Sequence, residues 1–154
     1  MEARIRIEKA APGAVKAVLD LQKYVDNCGL EESLLDLVKL RASQINGCAY
    51  CIDMHTKDAR ARGESEQRLY ELDAWRETPF YTERERAALA WTEAVTLISN
   101  GHAPDDVYEQ ARLEFTEKEL IDLTLAVAMI NTWNRLSISF RTVPGTYQAR
   151  KKAA

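Results

Sequence analysis

The chain has 154 residues, 46% hydrophobic and 29% charged, with a formal net charge of −3. This is the composition of one ordinary globular domain, taken as residues 1–154, and it provides no basic footprint for nucleic acid. No apolar run reaches the ~20 residues of a membrane span, Met1–Arg6 lacks the apolar core of a signal peptide, and three cysteines without a secretion signal lead us to expect a reducing cytoplasm.

Residues 1–10 are short and mixed and read as extended. Pro12-Gly13 opens a helix with Ala14, Val18, Leu21, Val25 and Cys28 at helical intervals. Gly29 ends it, and Cys28 reads as a small buried hydrophobe. The next helix covers about residues 31–46, with Leu34, Leu37, Val38, Leu40 and Ile45 able to face a core. Asp36 sits among them. Spacing alone makes it a solvent-facing carboxylate near a helix start, where acids are favoured. It could also fold back and orient a histidine beyond the following turn.

That turn is Asn46-Gly47, where glycine suits the left-handed residue that ends a helix. A new helix is therefore predicted from about Cys48 to Arg62, with Gly63 past its end. Lys57, Arg60 and Arg62 complement its dipole and read as a solvated face. A shorter helix with Leu69, Leu72 and Trp75 follows, and Thr78-Pro79 breaks the chain. Thr82 and Glu85 form a capping box that starts a helix with Ala87, Ala88, Trp91, Ala94, Val95 and Ile98 on one side. Ser99-Asn100-Gly101 ends it, and His102 in that turn is given no role. Pro104 suits the first turn of another helix. Thr116 and Glu119 form a second capping box. The segment from Leu120 to about Phe140 is apolar nearly all round, so it needs cover on all sides and points to a subunit interface. Val143-Pro144-Gly145 ends it, and Arg150-Lys151-Lys152 reads as a frayed tail.

No segment reads as a strand, so the fold class is all-α with about six or seven helices. One internal similarity stands out. Leu34-Leu35-Asp36-Leu37 and Ile45-Asn46 resemble Leu120-Ile121-Asp122-Leu123 and Ile130-Asn131. Thr132-Trp133-Asn134-Arg135 follows the second copy in place of cysteines. This suggests a duplicated hairpin with one reactive and one scaffold copy, and Trp91 and Trp133 as packing residues.

The chemistry is carried by Cys48-Ala49-Tyr50-Cys51-Ile52-Asp53-Met54-His55. In a helix, intervals of three, four and seven put Cys48, Cys51 and His55 on one stripe. Three readings compete: a structural disulfide, a metal site and a redox-active pair. A disulfide over so short a gap constrains little chain. A structural zinc site wants four ligands, and Cys28 and His102 build no second knuckle. We take the redox reading, in which His55 removes the proton of a thiol or holds its thiolate by charge. Which thiol attacks stays open on these grounds. The helix N-terminus favours Cys48, and the histidine favours Cys51.

These residues carry a resemblance. Asp36-Leu37-Val38-Lys39-Leu40-Arg41, Ile45-Asn46-Gly47-Cys48-Ala49-Tyr50-Cys51 and His55 resemble the carboxymuconolactone decarboxylase superfamily, above all its alkylhydroperoxidase D-like branch. The match is densest over residues 34–62 and looser through Trp91 and 131–136. It implies an all-α trimer or hexamer that reduces peroxides with a cysteine pair, without haem, metal or other cofactor. It implies that Cys51 attacks the peroxide, Cys48 resolves the sulfenic acid and His55 is the base. A family glutamate stands where this chain has Asp36, with Glu32 one turn earlier as a substitute. Some members carry histidine in place of Tyr50. The implied partners are a small peroxide and a thiol reductant, in some members a lipoyl-bearing protein. The alternatives are a lactone decarboxylase, whose family branch lacks the cysteine pair, and a non-enzymatic redox-sensing oligomer.

Overall fold

The computed structural model describes residues 1–149; the predicted frayed tail, Arg150-Lys151-Lys152, lies outside them. Among the described residues there are helices and no strands, as the all-α reading expects. In chain order these are α1 (Ile7–Ala10), α2 (Pro12–Val25), α3 (Glu32–Asn46), α4 (Ala49–Ala61), α5 (Glu66–Tyr70), a 3₁₀ helix (Leu72–Glu77), α6 (Glu83–Thr96), α7 (Asp105–Glu114) and α8 (Glu117–Phe140). The count exceeds the expected six or seven for two reasons. The first ten residues contain the short α1 rather than extended chain, and the Leu69–Trp75 segment splits into α5 and the 3₁₀ helix.

The helix boundaries follow local chemistry. Both capping boxes form. Thr82 Oγ1 accepts from the Glu85 amide while the Glu85 carboxylate accepts from the Thr82 amide, and Thr116 and Glu119 repeat the exchange. Pro104 caps α7 instead of entering it. Gly47 takes φ 68 at the end of α3. Its amide donates to Gln44 O, and the Cys48 amide donates to Ser43 O at 3.0 Å, so the helix closes with a Schellman pair.

α3 lies at the centre, packed against α4, α6 and α8. Leu34, Leu35 and Val38 meet Leu123, Ala126 and Val127 of α8 together with Ala88 and Trp91 of α6 in one core cluster. Leu37 and Leu40 meet Leu69, Leu72, Trp75 and Leu89 in a second. The α3–α8 contact also contains a buried amide network. Asn46 Nδ2 donates to Asn131 Oδ1 (2.9 Å) and Asn134 Oδ1 (2.8 Å), and Asn134 Nδ2 donates to Ser43 Oγ. Buried polar groups must find partners, and these find each other. The network therefore pins the last turn of α3, directly before Cys48. On α8, Ile121 is 68% exposed and Ile138 45% exposed, so part of its apolar surface is uncovered in the single chain. Trp91 packs as expected and donates to Thr124 Oγ1.

Candidate active site

Cys48 is the N-cap of α4, and its Sγ accepts from the Cys51 amide. Cys48 and Cys51 are joined in a disulfide with their Cα atoms 5.3 Å apart. Both are 1% exposed. The disulfide thus sits across the first turn of α4, where unpaired amides favour a thiolate once it is reduced.

From Cys51 onward, Met54, His55, Asp58, Ala61 and Arg62 recur at helical intervals and line one side of a cleft of about 770 Å³. Lys39 of α3, Ile130 and Trp133 of α8 and Leu19 of α2 line it elsewhere. Cys51 opens to this cleft, whereas Cys48 is not among its lining residues. Trp133, expected to pack, lines the cleft as well, with Nε1 donating to Gln22 Oε1.

His55 is 7% exposed, and its Nε2 is buried without a hydrogen-bond partner. Burial, then the Lys39 and Arg62 cations, push its imidazole down to about 3. The ring is therefore neutral at pH 7. Beside the disulfide it therefore carries no charge.

Asp36 is 5% exposed, not solvent-facing as its spacing suggested. The core residues on both sides of it in α3 carry it inward. Its carboxylate accepts from Arg62 Nη1 at 2.6 Å, and Arg62 Nε also pairs with Glu32 at 2.8 Å. Asp36 is thus held by the guanidinium. Burial raises its carboxyl and Arg62 lowers it, with burial the larger influence. Arg62, expected on a solvated face, is exposed and also lines the cleft, with its side chain 32% exposed. Lys39 is 8% exposed and pairs with Asp26 at 2.8 Å. Its burial was not legible in the sequence, because the partner lies on another element. Arg62 could have been found by continuing the cysteine stripe to i+11. Cys28 remains a free thiol, half-buried against the first core cluster. Among the described residues no group of three or more His, Cys, Asp or Glu could hold a metal ion, and no helix is long and apolar enough to cross a membrane.

The model of the carboxymuconolactone decarboxylase family matches residues 12–94. The uncharacterized protein YdfG of Bacillus subtilis is 44% identical over 139 residues, spanning 90% of this chain and 95% of that protein. A crystal structure from Agrobacterium tumefaciens, described as a putative antioxidant defence protein AhpD of unknown function, superposes with a TM-score of 0.92. It is 48% identical and covers 95% of this chain and 100% of that one. An uncharacterized peroxidase-related protein from Ralstonia eutropha with an AhpD core shares the fold at a TM-score of 0.79 and 18% identity, over 90% of this chain and 74% of that one.

Proposed function

The chain belongs to the carboxymuconolactone decarboxylase family, in its alkylhydroperoxidase D-like branch, and from that premise we propose that it is a thiol-dependent peroxidase. In the reduced enzyme His55 takes the Cys51 proton only in passing, as the sulfur attacks, because its buried ring holds no proton at rest. The thiolate attacks one peroxide oxygen, the O–O bond breaks, and the departing alkoxide takes the proton to leave as an alcohol. Cys51 is left as a sulfenic acid. Cys48 attacks that sulfur, its thiol proton joins the departing hydroxide to leave as water, and the disulfide forms. A dithiol reductant, with a lipoyl-bearing protein as the candidate class, returns two electrons by exchange. The cycle needs no metal or other cofactor. Asp36 is a positioning residue in this reading and holds Arg62 at the cleft.

One observation carries the assignment: Cys51 opens to the cleft one turn before a neutral, unpartnered His55, while Cys48 does not line it. The test is peroxide consumption with dithiothreitol or dihydrolipoamide as reductant, for the parent and Cys51→Ser. Turnover by the parent that Cys51→Ser loses supports the reading, and a parent without turnover refutes it. We further propose a homo-trimer or homo-hexamer, with Ile121 and Ile138 of α8 covered by a second copy. Light scattering at low micromolar concentration that finds a monomer would remove that part.

A further inference from the structure

α8 ends at Arg141, which takes φ 55 and closes the helix as Gly47 closes α3: its amide donates to Ile138 O and the Thr142 amide to Ser137 O. Residues 142–149 then run outside any helix. They are held against α4 by three hydrogen bonds. The Gly145 amide donates to Asp53 Oδ2 (3.0 Å), Lys57 Nζ donates to the Tyr147 carbonyl (3.0 Å), and the Tyr147 hydroxyl donates to Asp58 Oδ1 (2.7 Å). Asp53 and Lys57 also pair with each other at 2.8 Å, so the anchor is a matched site, not a chance contact. Thr142 and Tyr147 line the cleft into which Cys51 opens, together with Tyr50. Burial, then the bond to Asp58, push the Tyr147 phenol up to about 12, so it stays a hydrogen-bond donor at every working pH.

From this arrangement we propose that Tyr147 determines specificity at Cys51: its strap is the movable wall of the cleft and selects reagents by size. Cys51 is 1% exposed, so reagents must arrive through the cleft. Most of its other lining residues lie on helices, α1, α2, α3, α4 and α8. The strap, by contrast, has no helix of its own, and few bonds hold it. Segments held by few bonds open most readily. Small reagents pass with the strap seated. Bulky ones wait for Tyr147 to leave Asp58.

The inference rests on the peroxidase reading only in taking Cys51 as the group to be reached, and it can be tested without peroxide. In a Cys28→Ser/Cys48→Ser background Cys51 is the sole thiol, and serine remains a good helix cap at position 48. Alkylation rates of Cys51 are measured with iodoacetamide, a small reagent, and with fluorescein maleimide, a bulky one. Tyr147→Ala should speed the maleimide about tenfold, the population shift expected from losing one charge-assisted bond of about 1.4 kcal/mol. Iodoacetamide should change by less than about twofold, because it does not wait for the opening. Tyr147→Phe keeps the ring and loses the bond to Asp58, so it should show the same selectivity to a smaller degree. An unchanged ratio of the two rates in both variants overturns the proposal. Equal acceleration of both reagents overturns it too, since that reports a more reactive thiol and not a wider path. Failure of the parent to consume peroxide would remove the proposed function and leave this result standing.

Discussion

α3 and α8 begin with the same pattern and end with the same backbone device, yet only one leads to a thiol. Leu34-Leu35-Asp36-Leu37 and Leu120-Ile121-Asp122-Leu123 both bury their aspartate, to 5% and 2% exposure. Each aspartate is met by a cation, Arg62 at 2.6 Å for Asp36 and Lys118 at 2.6 Å for Asp122, with Tyr24 also donating to Asp122. Each helix closes with a Schellman pair, through Gly47 and through Arg141. The two helices meet at Asn46, Asn131 and Asn134. What differs is the residue after the left-handed one. After α3 it is Cys48, which caps a helix that packs back on α3 and carries Cys51, His55 and Arg62. After α8 it is Thr142, which leads to the strap. A buried acid with its cation is therefore a device for docking a helix start, and by itself it is not a sign of chemistry. The chemistry begins at the helix cap.

The strongest way to break the comparison is to make the first hairpin as inert as the second. Cys51→Ser should abolish peroxide consumption. Cys48→Ser should permit one turnover and leave a sulfenic acid on Cys51, which dimedone traps, because the resolving thiol is gone while the cap survives. Cys28→Ser should leave the rate unchanged, since that thiol packs on the core away from the cleft. Mass spectrometry of peroxide-treated protein separates these outcomes. A dimedone adduct on Cys48 in Cys51→Ser, with activity retained, would reverse the two roles.

Much of this hairpin was legible in the sequence because its signals are local. Asn46-Gly47 marked the break, both capping boxes formed where Thr82 and Thr116 placed them, and the all-α class followed from periodicity. What the sequence hid is what forms across distance. Asp36 lies 26 residues from Arg62, and neither residue type names the other. Arg62 is exposed, as its charged run suggested, and only the packing of α3 gives it Asp36 as a partner. Tyr147 lies 89 residues from Asp58, in a segment without periodicity. The charge state of His55 was hidden for a similar reason. Its neutrality comes from burial and from Lys39, whose own burial depends on Asp26 of a different element.

His55 has no counterpart on α8, and this sharpens the comparison as a pH dependence. The folded ring titrates at about 3, and the unfolded one near 6.5. Between those values the unfolded chain binds a proton that the fold refuses, so stability is full above pH 6.5 and is lost as pH falls towards 3. The loss should be on the order of 3 kcal/mol at pH 4. Depressed carboxylates such as Glu119, at about 2, add a loss of the same sign at lower pH, so the informative quantity is a difference between variants. Urea unfolding at pH 7 and pH 4 should show the parent losing more than His55→Gln by about that amount. Equal losses would mean that His55 is protonated in the fold.

The smallest effect distinguishes the two aspartates themselves. Asp36→Asn and Asp122→Asn preserve shape and remove one charge each. Both cations reach water, with side chains 32% and 68% exposed, so each change should cost only about 1 kcal/mol of stability. The kinetic consequences should differ. Without Asp36, Arg62 stays near the cleft through Glu32, at 2.8 Å, with its charge less compensated. That charge favours the Cys51 thiolate. A larger thiolate fraction, partly offset by the weaker nucleophile, should give about twofold faster alkylation at pH 7. Asp122, Tyr24 and Lys118 do not line the cleft, so Asp122→Asn should leave the rate alone. Stopped-flow alkylation of the reduced protein across pH 5 to 8 reads both. A slower rate in Asp36→Asn would mean that Asp36 orients His55 rather than acting through Arg62. Identical profiles for the two variants would make Asp36 what Asp122 already is, an acid that docks a helix.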